Sequence, residues 1–334
     1  MKRYALLALG LAAALAVFAA FVAWRDYQRF LAGPIAVPGP SLVVDVPRGA
    51  TVRGVLEGLD RRGVLAWDWR WRLLTRLEPV TLIAGEYEIT EPMSPRALLA
   101  HLASGQVRQY RVTLIEGWTF RQALDALRSD RRLAQETEAL DDAALRAAIG
   151  IEADSAEGWL LPETYQFTRG DSDLDILRRA HGAMRAALQT AWEGRDADLP
   201  LDTPYELLTL ASIVEKETAV AGERPEVAGV FVRRLRAGWR LETDPTVIYG
   251  LGSAFDGDIR RRDLDTDTPY NTYTRHGLPP TPIALPGRAS LMAVARPADG
   301  EAMFFVADGE GGHTFSVTLE EHNRAVRRLL ERTP

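Results

Sequence analysis

The chain has 334 residues, with 40 Lys and Arg against 46 Asp and Glu for a formal net charge of −6. That length corresponds to about two folded domains at roughly 150 residues each. A composition of 46% hydrophobic and 26% charged residues argues against disorder, and the mild negative charge argues against nucleic-acid binding, which needs a concentrated basic surface. Cysteine is absent, which removes disulfides, thiolate nucleophiles, iron–sulfur clusters and cysteine-ligated zinc. His101, His181, His276, His313 and His322 have no metal-ligand spacing, so no metal and no cofactor is expected. Only Lys2 and Lys216 are lysines, and without G-x-x-x-x-G-K-S/T a P-loop is excluded.

Residues 1–4 form a basic tip, and Ala5–Trp24 is a 20-residue run without charge. At 1.5 Å per residue the run spans roughly 30 Å, the thickness of a bilayer's hydrocarbon core. Lys2 and Arg3 before it favour a cytoplasmic amino terminus, which places all that follows outside. Trp24 and Tyr27 are expected at the far interface, and Gly33-Pro34 with Pro38-Gly39-Pro40 is expected to make a stiff stalk over 25–42. A cleaved signal peptide competes with this reading, but its apolar core is usually shorter. Both readings export the bulk of the chain.

A pattern then occurs three times: Val44-Asp-Val46 to Thr51, Leu56 and Leu59; Tyr87-Glu-Ile89 to Ser94, Leu99 and Leu102; Val112-Thr-Leu114 to Thr119, Leu124 and Leu127. Alternating apolar residues predict a half-buried strand, Gly or Pro breaks it, and Thr or Ser caps a helix with leucines at i and i+3. Such units cannot bury their own faces, so the three are expected to pack as one α+β module. Between the first two, Trp67, Trp69 and Trp71 cluster on a predicted helix. They suit either stacking on sugar rings or, for Trp67 and Trp71, core packing, which periodicity favours.

Further on, Asp171 to Trp192 predicts an amphipathic helix, Pro204 to Thr218 a second and Pro225 to Arg236 a third. The chain is then rich in Gly, Pro, Thr and Asp up to about Gly287, where function tends to sit. Met303–Val306 and Thr314–Val317 predict a hairpin, and Thr318 with Glu321 a capping box for the last helix. On the second helix, Glu215 and Glu217 fall at opposite edges of the apolar arc. A carboxyl at such an edge loses hydration and keeps its proton more readily, as a general acid must. Geometry does not choose between them, and solvated glutamates are the plain alternative. Lys216 points away with Ser212.

The run Leu210-Ala-Ser-Ile-Val-Glu215-Lys-Glu-Thr218 through Leu235 closely resembles the endolytic murein transglycosylases of the YceG-like family. So do Leu241-Glu-Thr243-Asp244-Pro through Gly252, Pro269-Tyr270-Asn271-Thr272-Tyr273, Gly277-Leu-Pro-Pro280, Gly311-Gly-His313-Thr-Phe315 and Glu157-Gly-Trp through Tyr165. Glu163 stands where aspartate is common in the family, and Arg233 where asparagine is. The resemblance implies an α+β protein anchored in the inner membrane by a single helix, residues 5–24, with its catalytic domain in the periplasm. A LysM-like module over 43–150 and a catalytic domain over 151–334 would follow. It implies endolytic cleavage of the MurNAc–GlcNAc bond in nascent peptidoglycan strands, leaving 1,6-anhydro-MurNAc ends. It also implies association with penicillin-binding synthases.

Carried over by position, Glu215 matches the catalytic acid of the E-K-E-T motif. One carboxyl suffices for this chemistry, because the sugar's own C6 hydroxyl attacks the anomeric carbon, whereas a hydrolase needs two. Thr243, Asp244, Tyr270, Asn271, Tyr273 and Glu223 are the expected substrate contacts. Asp244 could equally make an Asx-turn before Pro245, Asn271 a turn, and Glu223 a cap for the Pro225 helix; His313 is read as structural. The alternatives are a two-carboxylate muramidase, a non-enzymatic peptidoglycan-binding scaffold, and a pyridoxal-phosphate lyase, which would need the badly placed Lys216.

Overall fold

A computed structural model describes residues 2–332; Met1, and the side chains of Lys2 and Arg3 on which the expected orientation rests, lie outside the described residues. The chain divides into two compact units, Met1–Tyr110 with Thr168–Gly170, and Arg111–Phe167 with Asp171–Pro334.

The first unit opens with helix α1 (Lys2–Ala32), of which Leu6–Ala32 is long and apolar enough to cross a membrane. The helix does not give way to a stalk after Trp24. Beyond it, Tyr27, Phe30 and Leu31 recur at helical spacing among Arg25, Asp26, Gln28 and Arg29, which makes the last turns amphipathic. Tyr27 and Leu31 are accordingly buried in the core of the unit, so the Tyr27 ring is covered by protein. Gly33 N–H bonds to the Arg29 carbonyl at 2.8 Å, and Pro34, without an N–H, cannot continue the helix.

Strand β1 (Leu42–Val46), helices α2 (Val52–Arg61) and α3 (Trp69–Leu77), strand β2 (Gly85–Ile89) and helix α4 (Pro95–Ala103) complete the unit. The two strands are antiparallel, with Val44 opposite Tyr87. Thr51 and Ser94 cap α2 and α4 as the repeat predicts, and Leu56, Leu59, Leu99 and Leu102 enter the core. Asp68 caps α3, so Trp67 precedes the helix and packs at the core's edge, while Trp71 is 1% exposed and Trp69 47% exposed.

The third copy is also strand, turn and helix: β3 (Tyr110–Thr113), then α5 (Phe120–Ser129) with a Thr119–Gln122 capping box. Its strand, however, pairs with β4 (Thr164–Phe167), after α6 (Asp142–Ile149), and its helix belongs to the second unit. The division between the two compact units thus follows Tyr110. The local pattern specifies each strand-turn-helix but not the surface on which it buries its leucines.

The second unit continues with α7 (Asp173–Glu193), α8 (Pro204–Glu217), α9 (Arg224–Arg236), α10 (Asp244–Leu251), α11 (Arg261–Asp265) and α12 (Arg288–Ala295). It closes with strands β5 (Phe304–Ala307) and β6 (His313–Ser316) and helix α13 (Leu319–Arg332). The hairpin is antiparallel, Phe305 facing Phe315, and Thr318 and Glu321 form the expected capping box. Helix α8 lies between α7, α9 and α12, and Leu207 to Val214 are buried on every side. Ser212 is thus in the core, where its hydroxyl donates to the Thr209 carbonyl and accepts from Ile283 N–H.

In thermal unfolding, Trp71→Ala is expected to cost about 3–5 kcal/mol through the cavity it leaves. Trp69→Ala should cost about 1 kcal/mol or less, since much of its ring is exposed.

Candidate active site

Helix α8 begins at a Thr203–Glu206 capping box with Pro204 in its first turn, and ends where Thr218 turns extended. Its last turn leaves the core carrying Glu215, Lys216 and Glu217 into three different surroundings. Lys216 is exposed and donates to the Gly117 carbonyl at 3.3 Å.

The Glu215 side chain is 5% exposed and fully engaged. One oxygen meets Arg224 Nη2, at the start of α9, at 3.3 Å; the other accepts from Gly287 N–H at 2.9 Å and Ser290 Oγ at 2.7 Å, at the start of α12. Glu215 therefore ties α8, α9 and α12 together. Arg224 also reaches Glu116 at 3.5 Å, and burial, then the nearby Glu215, push the Glu116 carboxyl upward against the pull of Arg224. Gly287 leaves room for the Glu116 carboxylate, which a Cβ at that position would displace.

Glu217 leaves the helix on the other side and is half-buried. Its carboxylate accepts from the Thr243 hydroxyl. Burial pushes its carboxyl up to about 7; the Asp244 charge adds to the rise, while the Thr243 hydrogen bond, His313 and Arg234 oppose it. Thr243 occupies the N-cap position of α10 but does not cap the helix, its hydroxyl being diverted to Glu217. The preceding Glu242 has a φ of 51°, a strained conformation for a residue with a side chain, and its N–H bonds to the Thr272 carbonyl.

Asp244 is not in a loop as expected but is the first residue of α10; it is exposed, and it accepts from the Tyr273 hydroxyl at 2.6 Å. Glu223 stands at the N-cap of α9 without capping it. Its carboxylate instead takes His313 N–H at 2.9 Å and His313 Nδ1 at 2.7 Å, with the Thr218 hydroxyl at 3.3 Å. Although burial opposes it, these His313 bonds hold Glu223 below the usual carboxylate range. Glu217, Thr243, Asp244, Tyr273, Glu223 and His313 thus form one neighbourhood.

Asn271 and Tyr270, the remaining expected contacts, have partners within the protein. The Asn271 amide is buried and donates to the Asp263, Leu264 and Thr266 carbonyls, while its oxygen accepts from Tyr273 N–H. Its geometry is that of a loop brace. Tyr270 packs its ring on Tyr249 at 4.9 Å and shares a hydroxyl contact with Thr281. Arg233 donates to the Ala302 and Ala298 carbonyls, and Glu163 pairs with Arg288. Sequence reasoning gave no role to Glu157, whose carboxyl burial pushes up to about 7 while Phe120 N–H and the Tyr249 hydroxyl donate to it. Two depressions of about 420 and 270 Å³ share Gly277–Pro280. The larger is lined by Thr203, Tyr205, Glu206 and Thr209, along the first half of α8, whose start at Thr203 is roughly 20 Å along the helix from the glutamates.

The YceG-like family model matches residues 44–328. An endolytic murein transglycosylase of Bacillus subtilis is 28% identical over 326 residues, spanning 91% of this chain and 89% of its own. One from Streptococcus pneumoniae is 27% identical over 320 residues, 85% of this chain and 58% of the relative. The crystal structure of a yceG-like protein from Listeria monocytogenes superimposes with a TM-score of 0.57 at 27% identity, covering 86% of this chain and 99% of that one. Matched over most of its length by sequence and by fold, this chain belongs to the YceG-like family.

Proposed function

We propose that the chain is an endolytic lytic transglycosylase. It cleaves the MurNAc–GlcNAc bond within nascent peptidoglycan strands, leaves 1,6-anhydro-MurNAc ends and so terminates elongation, with Glu217 as its acid. The observation that carries the residue assignment is a half-buried carboxyl pushed up to about 7 beside an exposed carboxylate, Asp244. The names of the relatives support the substrate. Glu215, the position first matched to the family's acid, has both oxygens committed to an ion pair and two hydrogen bonds, and acts as a clamp.

In this reading protonated Glu217 gives its proton to the leaving glycosidic oxygen. The C6 hydroxyl of MurNAc then attacks the anomeric carbon, and the Glu217 carboxylate takes the hydroxyl proton. The Thr243 hydroxyl donates to that carboxylate, and His313 and Arg234 favour its charged form. Asp244, held by Tyr273, stands where a negative charge would favour the developing oxocarbenium. The same carboxylate supports a second reading, a muramidase in which Asp244 activates water. Helix α1 is a single-pass inner-membrane anchor with a cytoplasmic amino terminus. The β-α-α-β-α unit that follows is a LysM-like, glycan-binding module in the periplasm.

With uncrosslinked glycan strands as substrate, Glu217→Gln should lower turnover by at least about 100-fold without loss of fold. Products are expected to end in anhydro-MurNAc; reducing MurNAc ends formed by water would select the muramidase. Glu215→Gln should instead lower thermal stability, by about 3 kcal/mol for a broken buried ion pair. Activity that survives in Glu217→Gln and disappears in a folded Glu215→Gln would return the acid to Glu215.

Activity of the natural chain should fall as pH rises through about 7, where Glu217 loses its proton. Stability follows the same group. Its folded value lies above the ordinary 4.5, so its contribution is complete below 4.5 and is lost as pH rises to about 7. The loss amounts to about 3 kcal/mol. Glutamine has no proton to lose, so melting temperatures across pH 4 to 8 should show Glu217→Gln gaining on the natural chain and levelling off above 7.

A further inference from the structure

We propose that helix α3 is a second membrane contact, its exposed Trp69 and Leu77 lying with Arg72 and Arg76 in the lipid headgroup layer at the point where α1 leaves the bilayer. The inference rests on the reading of α1 as a membrane-spanning anchor and adds a lipid surface as a partner of the first unit.

Three observations carry it. The first is height. The uncharged run of α1 ends at Trp24, which is 57% exposed, and Tyr27, one turn on, is already inside the protein core. A turn is only about 5 Å, so the folded unit begins directly on the bilayer face. The Tyr27 ring lies 6.1 Å from Trp24 and 6.3 Å from Trp69, whereas Trp71 meets Phe30, a turn further from the membrane, at 5.2 Å. Trp69 is therefore on the bilayer side of α3.

The second is surface. Trp69 and Leu77, two turns apart on the helix, are 47% and 61% exposed, although α3 buries Trp71 and Leu74 completely. An amphipathic indole exposed at the level of a membrane boundary suits the headgroup region, where one end of the ring is wet and the other is not.

The third is charge. Helix α3, WRWRLLTRL, holds three arginines and no acidic side chain. The flanking acids are already used, Asp68 by Arg70 and Glu78 by Arg96. Arg72 and Arg76 are exposed and enter no ion pair among the described residues. Basic residues beside exposed Trp and Leu on one short helix make a surface complementary to anionic headgroups, and this favours lipid over neutral sugar rings as the occupant.

The test uses the full chain, whose lack of cysteine allows single labels. Nitroxides on Leu15→Cys, Leu77→Cys and Leu330→Cys are placed in protein reconstituted into vesicles of phosphatidylethanolamine and phosphatidylglycerol, and collision with oxygen and with a nickel chelate is measured. Position 15 should meet oxygen and not nickel, position 330 the reverse, and position 77 should fall between them. Adding Trp69→Ala, Arg72→Glu and Arg76→Glu together should move position 77 to the values of position 330. A label at 77 that matches 330 while 15 remains in hydrocarbon overturns the lipid contact and leaves the anchor standing. Shielding at 77 that appears only on addition of glycan strands also overturns it and makes the face a sugar platform. A wet label at 15 removes the anchor, and the inference with it.

Discussion

A helix enclosed on every side can carry charge only where it leaves the core, and α8 meets this constraint within a single turn. From Leu207 to Val214 each side chain is buried, in a helix packed by α7, α9, α10 and α12, and the next three residues are Glu, Lys and Glu. Two glutamates separated by one residue emerge about 200° apart. Their carboxyls enter unrelated neighbourhoods although the sequence around them is nearly symmetric. Desolvation at the mouth of a packed core is the shared condition, and the donors each one finds decide what it becomes.

Those donors arrive at helix starts. Arg224 opens α9, Thr243 and Asp244 open α10, and Gly287 and Ser290 stand at the opening of α12. Around Glu215 the result is a closed knot of an ion pair and two hydrogen bonds joining three helices. Around Glu217 the result is sparse: one hydroxyl, a nearby carboxylate that repels, and His313 and Arg234 favouring its charged form. The strained backbone at Glu242 and the uncapped start of α10 both accompany the diversion of Thr243 toward Glu217. Departures from local preference of this kind are ordinarily found where function outweighs stability.

The first unit illustrates a different economy. Its first helix does not end with its apolar run but continues as an amphipathic segment whose Tyr27 and Leu31 complete the core built by the leucines of α2 and α4 with Trp71. Helix α1 and the strands and helices that follow it are therefore one folded body.

Much was legible from sequence because it depends on near neighbours in the chain. The apolar run of α1, the caps at Thr51, Ser94 and Thr119, the α8 helix, the hairpin of β5 and β6 and the motif blocks all follow from spacing and composition. The division of the repeats between two units and the burial of Ser212 did not, since each depends on which distant surface a segment meets. The same holds for the pair of glutamates. Helical periodicity placed both at the edge of the apolar arc and no further, because a carboxyl's chemistry is fixed by hydration and by donors brought from α9, α10 and α12, and only the packed chain brings them.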